Sequence, residues 1–122
     1  MTNDELARQW LEGIQDPDKF YPLVADHCVV WHSSDNKWMP VKEAIEAFAA
    51  GGRLTELSET SYRLTEDGFL VQFTAAVGGA VIHSAILVRV ENGLAVKAEE
   101  YIGMELDHAA LAAAHAASAG AS

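Results

Sequence analysis

One carboxylate in this 122-residue chain stands where a carboxylate is costly. From Leu94 to Ile102 the residues fall into two alternating sets: Leu94, Val96, Ala98, Glu100 and Ile102, and Ala95, Lys97, Glu99 and Tyr101. Alternation along a strand puts such sets on opposite sides, so Glu100 interrupts an otherwise apolar face. Withdrawal from water disfavours the charged form of a glutamate and lifts its pKa toward neutrality, where it can both take and give a proton. Two readings without chemistry stand beside this one: a rim position in water, and a hydrogen-bonded glutamate with a purely structural role.

A second titratable candidate is His32, at the end of the β-prone run His27–His32. Cys28, Val30 and His32 share one face of that run; Val29, Trp31 and Ser33 share the other. Both faces carry apolar residues, so periodicity does not orient them. With His32 inward, an imidazole stands opposite Glu100. With Trp31 and Ser33 inward, the pocket has an aromatic wall and a hydroxyl. The expectation carried forward pairs His32 with Glu100. Trp31, Trp38, Tyr62, Phe73, Ile86, Val88 and Ala98 are the candidate walls for a ligand. Trp38 sits in a polar stretch beside Pro40 and reads as a lid; Trp10 reads as core.

Other chemistries lack their residues. His27, His32 and Asp35 do not have the spacing of an established metal site. Gly51-Gly52 and Gly78-Gly79 are stop and turn signals rather than phosphate loops, and no G-x-S-x-G element occurs. No metal and no organic cofactor is therefore expected. Cys28 is the only cysteine, so an intrachain disulfide is impossible, and nothing beside it in sequence would activate its thiol. Eighteen acids stand against eight bases, for a net charge of −10, and the basic residues are scattered singly. Nucleic-acid binding needs clustered cations to neutralise phosphates, so nucleic acid is excluded, and an anionic membrane surface with it. Apolar runs fall far short of the ~20 residues that span a bilayer. The acidic start Met1–Glu5 lacks the layout of a signal peptide, and a cytoplasmic location is expected.

The elements that must position Glu100 and His32 are legible in outline. Thr2 and Glu5 fit a capping box before a helix whose Leu6, Trp10, Leu11 and Ile14 share a face. Asp16-Pro17-Asp18 ends it and opens a short second helix through Leu23. The strand His27–His32 follows, then a polar loop Ser33–Met39. Val41, Ala44, Ile45 and Phe48 mark a helix that starts at Pro40 and stops at Gly51-Gly52. Beyond it the period changes to two. Asp67-Gly68, Gly78-Gly79 and Asn92-Gly93 divide four strands, about 59–66, 69–77, 80–91 and 94–102, into an antiparallel meander. Helices segregated from such a sheet give an α+β fold, and curled strands make a cone whose mouth the N-terminal helices close. Residues 1–107 are expected as one domain. The Ala-rich tail 108–122 has high helix propensity and little to pack against, so a frayed helix or disorder is expected there.

In this order and spacing the chain resembles the nuclear transport factor 2-like superfamily, and within it the SnoaL-like polyketide cyclases and ketosteroid isomerases. The carrying residues are Leu23-Val24-Ala25-Asp26-His27 leading into Val29-Val30-Trp31-His32, then Val41–Phe48, then Arg89–Leu94 running to Glu99-Glu100-Tyr101-Ile102. The resemblance covers about residues 4–107. It implies an α+β cone with a hydrophobic pocket and frequent homodimers through the outer sheet face. The acid/base carboxylate of the cyclases falls at Glu100. The aspartate base of the isomerases falls at His32, their oxyanion tyrosine at Trp10, which has no phenol proton, and their second acid at Ile86; these losses speak against steroid isomerisation. The epoxide hydrolase branch needs an Asp-Arg-Asp set, and the inner faces offer no arginine.

The expected function is binding of a small apolar molecule. It takes the form of a cofactor-free isomerase, cyclase or lyase with Glu100 as acid/base and His32 as second base or donor. The alternatives are a non-catalytic carrier or sensor, or a dimerisation module, on the same fold. A homodimer is expected, since the outer face offers Ala85, Leu87 and Tyr101 amid Arg89, Lys97 and Glu99.

Overall fold

The computed structural model describes residues 1–52, 54 and 56–120. Helix α1 (Asn3–Gln15) is capped by Thr2, whose hydroxyl accepts the Glu5 N–H at 3.2 Å and donates to the Glu5 carboxylate at 3.1 Å. One stripe of α1 (Leu6, Ala7, Trp10, Gly13 and Ile14) is buried, as an amphipathic helix requires. A 3₁₀ helix (Pro17–Leu23) follows and turns Phe20 and Leu23 inward. Strand β1 (Val24–His32) leads by a tight turn to β2 (Lys37–Pro40), and Pro40 caps helix α2 (Val41–Ala50). Strands β3 (Leu57–Leu64), β4 (Gly68–Val77), β5 (Ala80–Glu91) and β6 (Leu94–Met104) complete the sheet, and helix α3 (His108–Gly120) ends the described chain.

The six strands lie in the order β2-β1-β6-β5-β4-β3. The sheet is curved, with α1, the 3₁₀ helix and α2 supplying the core opposite its concave face. Phe69, Val71, Phe73 and Ala75 of β4 and Ile86 and Val88 of β5 are buried there against Leu6, Trp10 and Ile14. Trp10 meets Phe20 and Phe69 edge to face, with centroids 5.0 and 5.7 Å apart. Such arrangements satisfy the ring quadrupoles while burying large apolar surfaces.

Four local features differ from expectation. The sheet is mixed rather than antiparallel throughout, because β6, antiparallel to β5, comes to rest parallel to β1. The stretch expected as the loop Ser33–Met39 contains β2, paired antiparallel to β1 with Trp31 opposite Trp38. A bulge in β6 shifts the register between Arg89 and Val90, so Ala95 is fully buried and Leu94 is exposed. The extra residue resets the alternation before Ala98. Finally, the hairpin signals are not equivalent. Gly78-Gly79 and Asn92-Gly93 have positive φ at both positions, as tight hairpins demand. Gly68 lies inside β4, where an added Cβ would fall 2.0 Å from the Val88 carbonyl oxygen; its role is close approach of two backbones.

The tail forms a helix with no buried residue, started by Asp107, whose carboxylate accepts the Ala110 N–H at 2.6 Å. No helix among the described residues is long and apolar enough to cross a membrane.

Candidate active site

The parallel pairing of β1 with β6 sets His32 beside Glu100. Ser33 secures that pairing from both directions. Its N–H donates to the Glu100 carbonyl at 2.9 Å, and its hydroxyl accepts the Ile102 N–H at 2.9 Å. Laterally paired residues project to the same face, and here that face is concave. His32 Nε2 lies 3.4 Å from Glu100 Oε1, an ion pair whenever the imidazole is protonated. The hydroxyl of Ser84, itself buried, donates to Glu100 Oε2 at 2.8 Å. Both carboxylate oxygens are thus engaged, one by a hydroxyl and one by an imidazole.

Glu100 and His32 stand at the wall of a cavity of about 60 Å³ that opens to the surface. The wall is otherwise apolar apart from the indole of Trp10. Helix α1 contributes Trp10 and Ile14, and the 3₁₀ helix contributes Phe20. Helix α2 contributes Val41, Ala44, Ile45 and Phe48, spaced i, i+3, i+4, i+7 so that they form one stripe. Val24 and Val30 of β1, Ile86 of β5 and Ala98 of β6 complete it.

Electrostatics follow from this setting. Burial pushes the Glu100 carboxyl above its usual range. The hydrogen bond from Ser84 and the neighbouring His32 pull it back without cancelling the rise. The result is a carboxyl whose neutral form is favoured by its surroundings, in contact with a second proton acceptor. Burial also pushes the Cys28 thiol up to about 11, which makes it inert as a nucleophile. Among the described residues, no group of three or more His, Cys, Asp and Glu side chains is placed to hold a metal ion.

Of the expected site residues, the structure brings Glu100, His32, Ile86 and Ala98 to one cavity. Phe73 and Val88 are buried core residues outside its lining. Trp31 alternates with His32 and so lies on the convex face, between Trp38 and Tyr101, with centroids 6.5 and 5.1 Å away. Trp38 is half exposed on that face, with the Lys97 ammonium 5.0 Å from its ring, and is not a lid. Tyr62 uses its hydroxyl to bind Asp4 at 2.7 Å, tying β3 to α1. That bond and the guanidinium of Arg8 hold the Asp4 carboxyl below its usual range.

The expectation missed Ser84 and the α2 stripe. Ser84 has the inner parity of Ile82 and Ile86, and a hydroxyl on an apolar face was its signal. The α2 residues were legible as a helix face, but whether that face met the sheet or left a gap before it was not.

No protein-family model matches the sequence, and no curated protein matches it. Solved structures do. AclR from Streptomyces galilaeus, a candidate hydroxylase, superposes with a TM-score of 0.69 at 13% identity, over 97% of this chain and 92% of that one. A candidate ketosteroid isomerase from Kribbella flavida gives 0.67 at 14% identity, over 86% and 80%. IdmH from Streptomyces antibioticus, a candidate polyketide cyclase, gives 0.63 at 11% identity, over 86% and 93%. Identities this low speak for architecture alone, and with the mixed six-stranded sheet and its covering helices they establish that this chain has the nuclear transport factor 2-like fold.

Proposed function

We propose that the protein is a cofactor-independent acid–base enzyme, an isomerase, cyclase or lyase, that acts on a small apolar carbonyl compound held in the Glu100 cavity. The observation that carries this reading is the contact between Glu100 and His32 inside an apolar wall, with the carboxyl raised by burial. Glu100 exchanges a proton with the carbon next to the carbonyl. His32, 3.4 Å away, holds or relays the proton between steps. Ser84 fixes the second oxygen, so that one carboxylate oxygen faces the exchange.

The test is deuterium exchange at the α-carbons of cyclohexanone in heavy water, followed by proton NMR with the full chain. Catalysed exchange that disappears in Glu100→Gln is the expected result. Ketone binding without exchange would leave the carrier reading in its place.

We further propose a homodimer through the convex face, where Leu87, Trp38 and Tyr101 expose large apolar surface. Sedimentation at micromolar concentration is expected to show twice the 13.1 kDa chain mass, and Leu87→Arg to halve it. The buried, unpaired thiol of Cys28 suits a reducing cytoplasm, the location we propose.

A further inference from the structure

The far end of the concave face lies bare. Val77 faces Ala80 across β4 and β5, and Ile82 faces Met104 across β5 and β6. Ile102, opposite Ser84, joins this strip to Glu100 two residues before it. All five keep the alternation of Ser84 and Glu100 and so project to the concave side. Helix α1 packs on β3 and β4, and helix α2 on β1 and β2. Neither covers the strip: Met104 is 63% exposed and Val77 44%, and Ala80, Ile82 and Ile102 are only partly covered. Contiguous apolar surface of this kind marks a place where something docks.

The same chain carries an element in need of a surface. Helix α3 has 13 residues and none is buried. A helix of that length is marginal in water by itself. His108, Leu111, His115 and Ser118 share one of its faces, at spacings of three and four, and the remaining residues are alanine apart from Gly120. None of the 18 acids lies in α3, and neither does a lysine or arginine. Alone among the described helices, it brings no permanent charge to a surface it covers.

We infer that α3 folds back over the bare strip of its own sheet and forms the outer wall of the Glu100 cavity. Three residues, Glu105 to Asp107, separate β6 from α3, within the roughly 2–6 that return a helix onto the strand it follows. The dimensions agree. The helix is about 20 Å long at ~1.5 Å per residue, and the strand from Glu105 back to Glu100 covers about 16 Å at ~3.3 Å per residue. Running back along β6, α3 sets Leu111 beside Met104, His115 above Ile102 and Ser118 at the level of Glu100. An apolar side chain then meets the apolar end of the strip, and polar ones arrive where the polar pair stands. No second carboxylate is brought to Glu100. A ligand enters when the helix lifts and is sheltered from water when it returns. The inference goes beyond the proposed function: it holds whether the cavity catalyses or only binds.

The test reads α3 in the full chain with no ligand present. Amide hydrogen exchange is expected to show residues 112–119 protected more than about tenfold, against about twofold for a free helix that is at best half formed. Met104→Asp places a charge on a short stem beneath the helix and is expected to return the protection to about twofold. Met104 is mostly exposed on the sheet, so the strand amides stay protected in that variant. Leu87→Arg, on the convex face, is expected to leave α3 protected. A nitroxide attached through Ala116→Cys, on the side of α3 away from Leu111, is expected to broaden the amide signals of Glu100 and Ile102. Cys28 is buried with its thiol pushed up to about 11, so the label reaches only the introduced thiol. The inference is overturned by an unprotected α3 in the wild-type chain, or by protection that survives Met104→Asp. Protection lost in Leu87→Arg would place α3 on a second copy and overturns it as well. Unbroadened Glu100 and Ile102 signals overturn it even where Met104→Asp fails to fold, because the label sits in a chain otherwise unchanged. None of these readouts involves α-proton exchange, so the catalytic reading stands or falls separately.

Discussion

Glu99 and Glu100 are adjacent, yet they face opposite sides of β6 and keep different company. Glu99 lies on the convex face, 3.6 Å from the Lys97 ammonium, and accepts the Tyr101 hydroxyl at 3.1 Å. Glu100 lies on the concave face, with Ser84 at 2.8 Å and His32 at 3.4 Å. The convex carboxylate is answered by an ammonium and the concave one by a hydroxyl and an imidazole. The aromatic residues divide as unevenly. Trp31, Trp38 and Tyr101 cluster on the convex face, and among the described residues only Trp10, Phe20 and Phe48 bring a Trp, Tyr or Phe ring to the cavity. A wealth of aromatic rings near a site is therefore a poor guide to the pocket. Strand parity decides, because one residue of displacement carries a side chain through the sheet.

The largest effect that tests this contrast is catalytic. Glu100→Gln should lower α-proton exchange by ~10²–10⁴-fold, the usual worth of acid–base assistance, or about 3–5 kcal/mol of barrier. Glu99→Gln should leave the rate within about twofold, since its ion pair is on the far face and such pairs contribute little. Equal losses from the two variants would dissolve the distinction between the faces.

A smaller effect is expected at the seam that sets the pair in register. Ser33→Ala removes the acceptor of the Ile102 N–H and should cost about 1–2 kcal/mol of stability, read as a lower urea midpoint at unchanged slope. Its exchange rate should fall as well, because His32 and Glu100 depend on that seam for their spacing. A stability loss with an unchanged rate would show that the contact between them is held by side-chain packing alone.

The subtlest expectation concerns pH. Burial raises the folded-state pKa of Glu100 above its value in the unfolded chain. Between those two values the folded state binds more protons than the unfolded state, so stability falls as pH rises. The window opens near the free glutamate value of ~4.3 and closes above the raised folded value. Glu100→Gln should flatten the wild-type slope there and be the more stable protein at neutral pH, while Glu99→Gln should keep the slope. Urea titrations at several pH values would check this, and a wild-type slope preserved in Glu100→Gln would place the titration elsewhere.

Much of the architecture was readable from local signals. The capping residues Thr2 and Glu5, the stripe Leu6–Trp10–Ile14, the period-two strands and the Gly78-Gly79 and Asn92-Gly93 turns each act within a few residues, and physics at that range survives in the sequence. The inward placement of Glu100 came from the same source. The bulge that buries Ala95 did not, because an extra residue in one strand is defined only against its partner.

The sequence by itself determined the element types, the apolar faces and the single carboxylate set among them, since propensity and periodicity are properties of a segment alone. Tertiary structure decided which side of β1 faces the cavity, because apolar residues on both sides left that choice to packing against α2 and to the parallel seam with β6. It also decided that Ser84 and His32 converge on Glu100 from strands far apart in the chain. And it left the Trp10 N–H buried without a partner, which depends on every neighbour of the ring at once and on no spacing in the sequence.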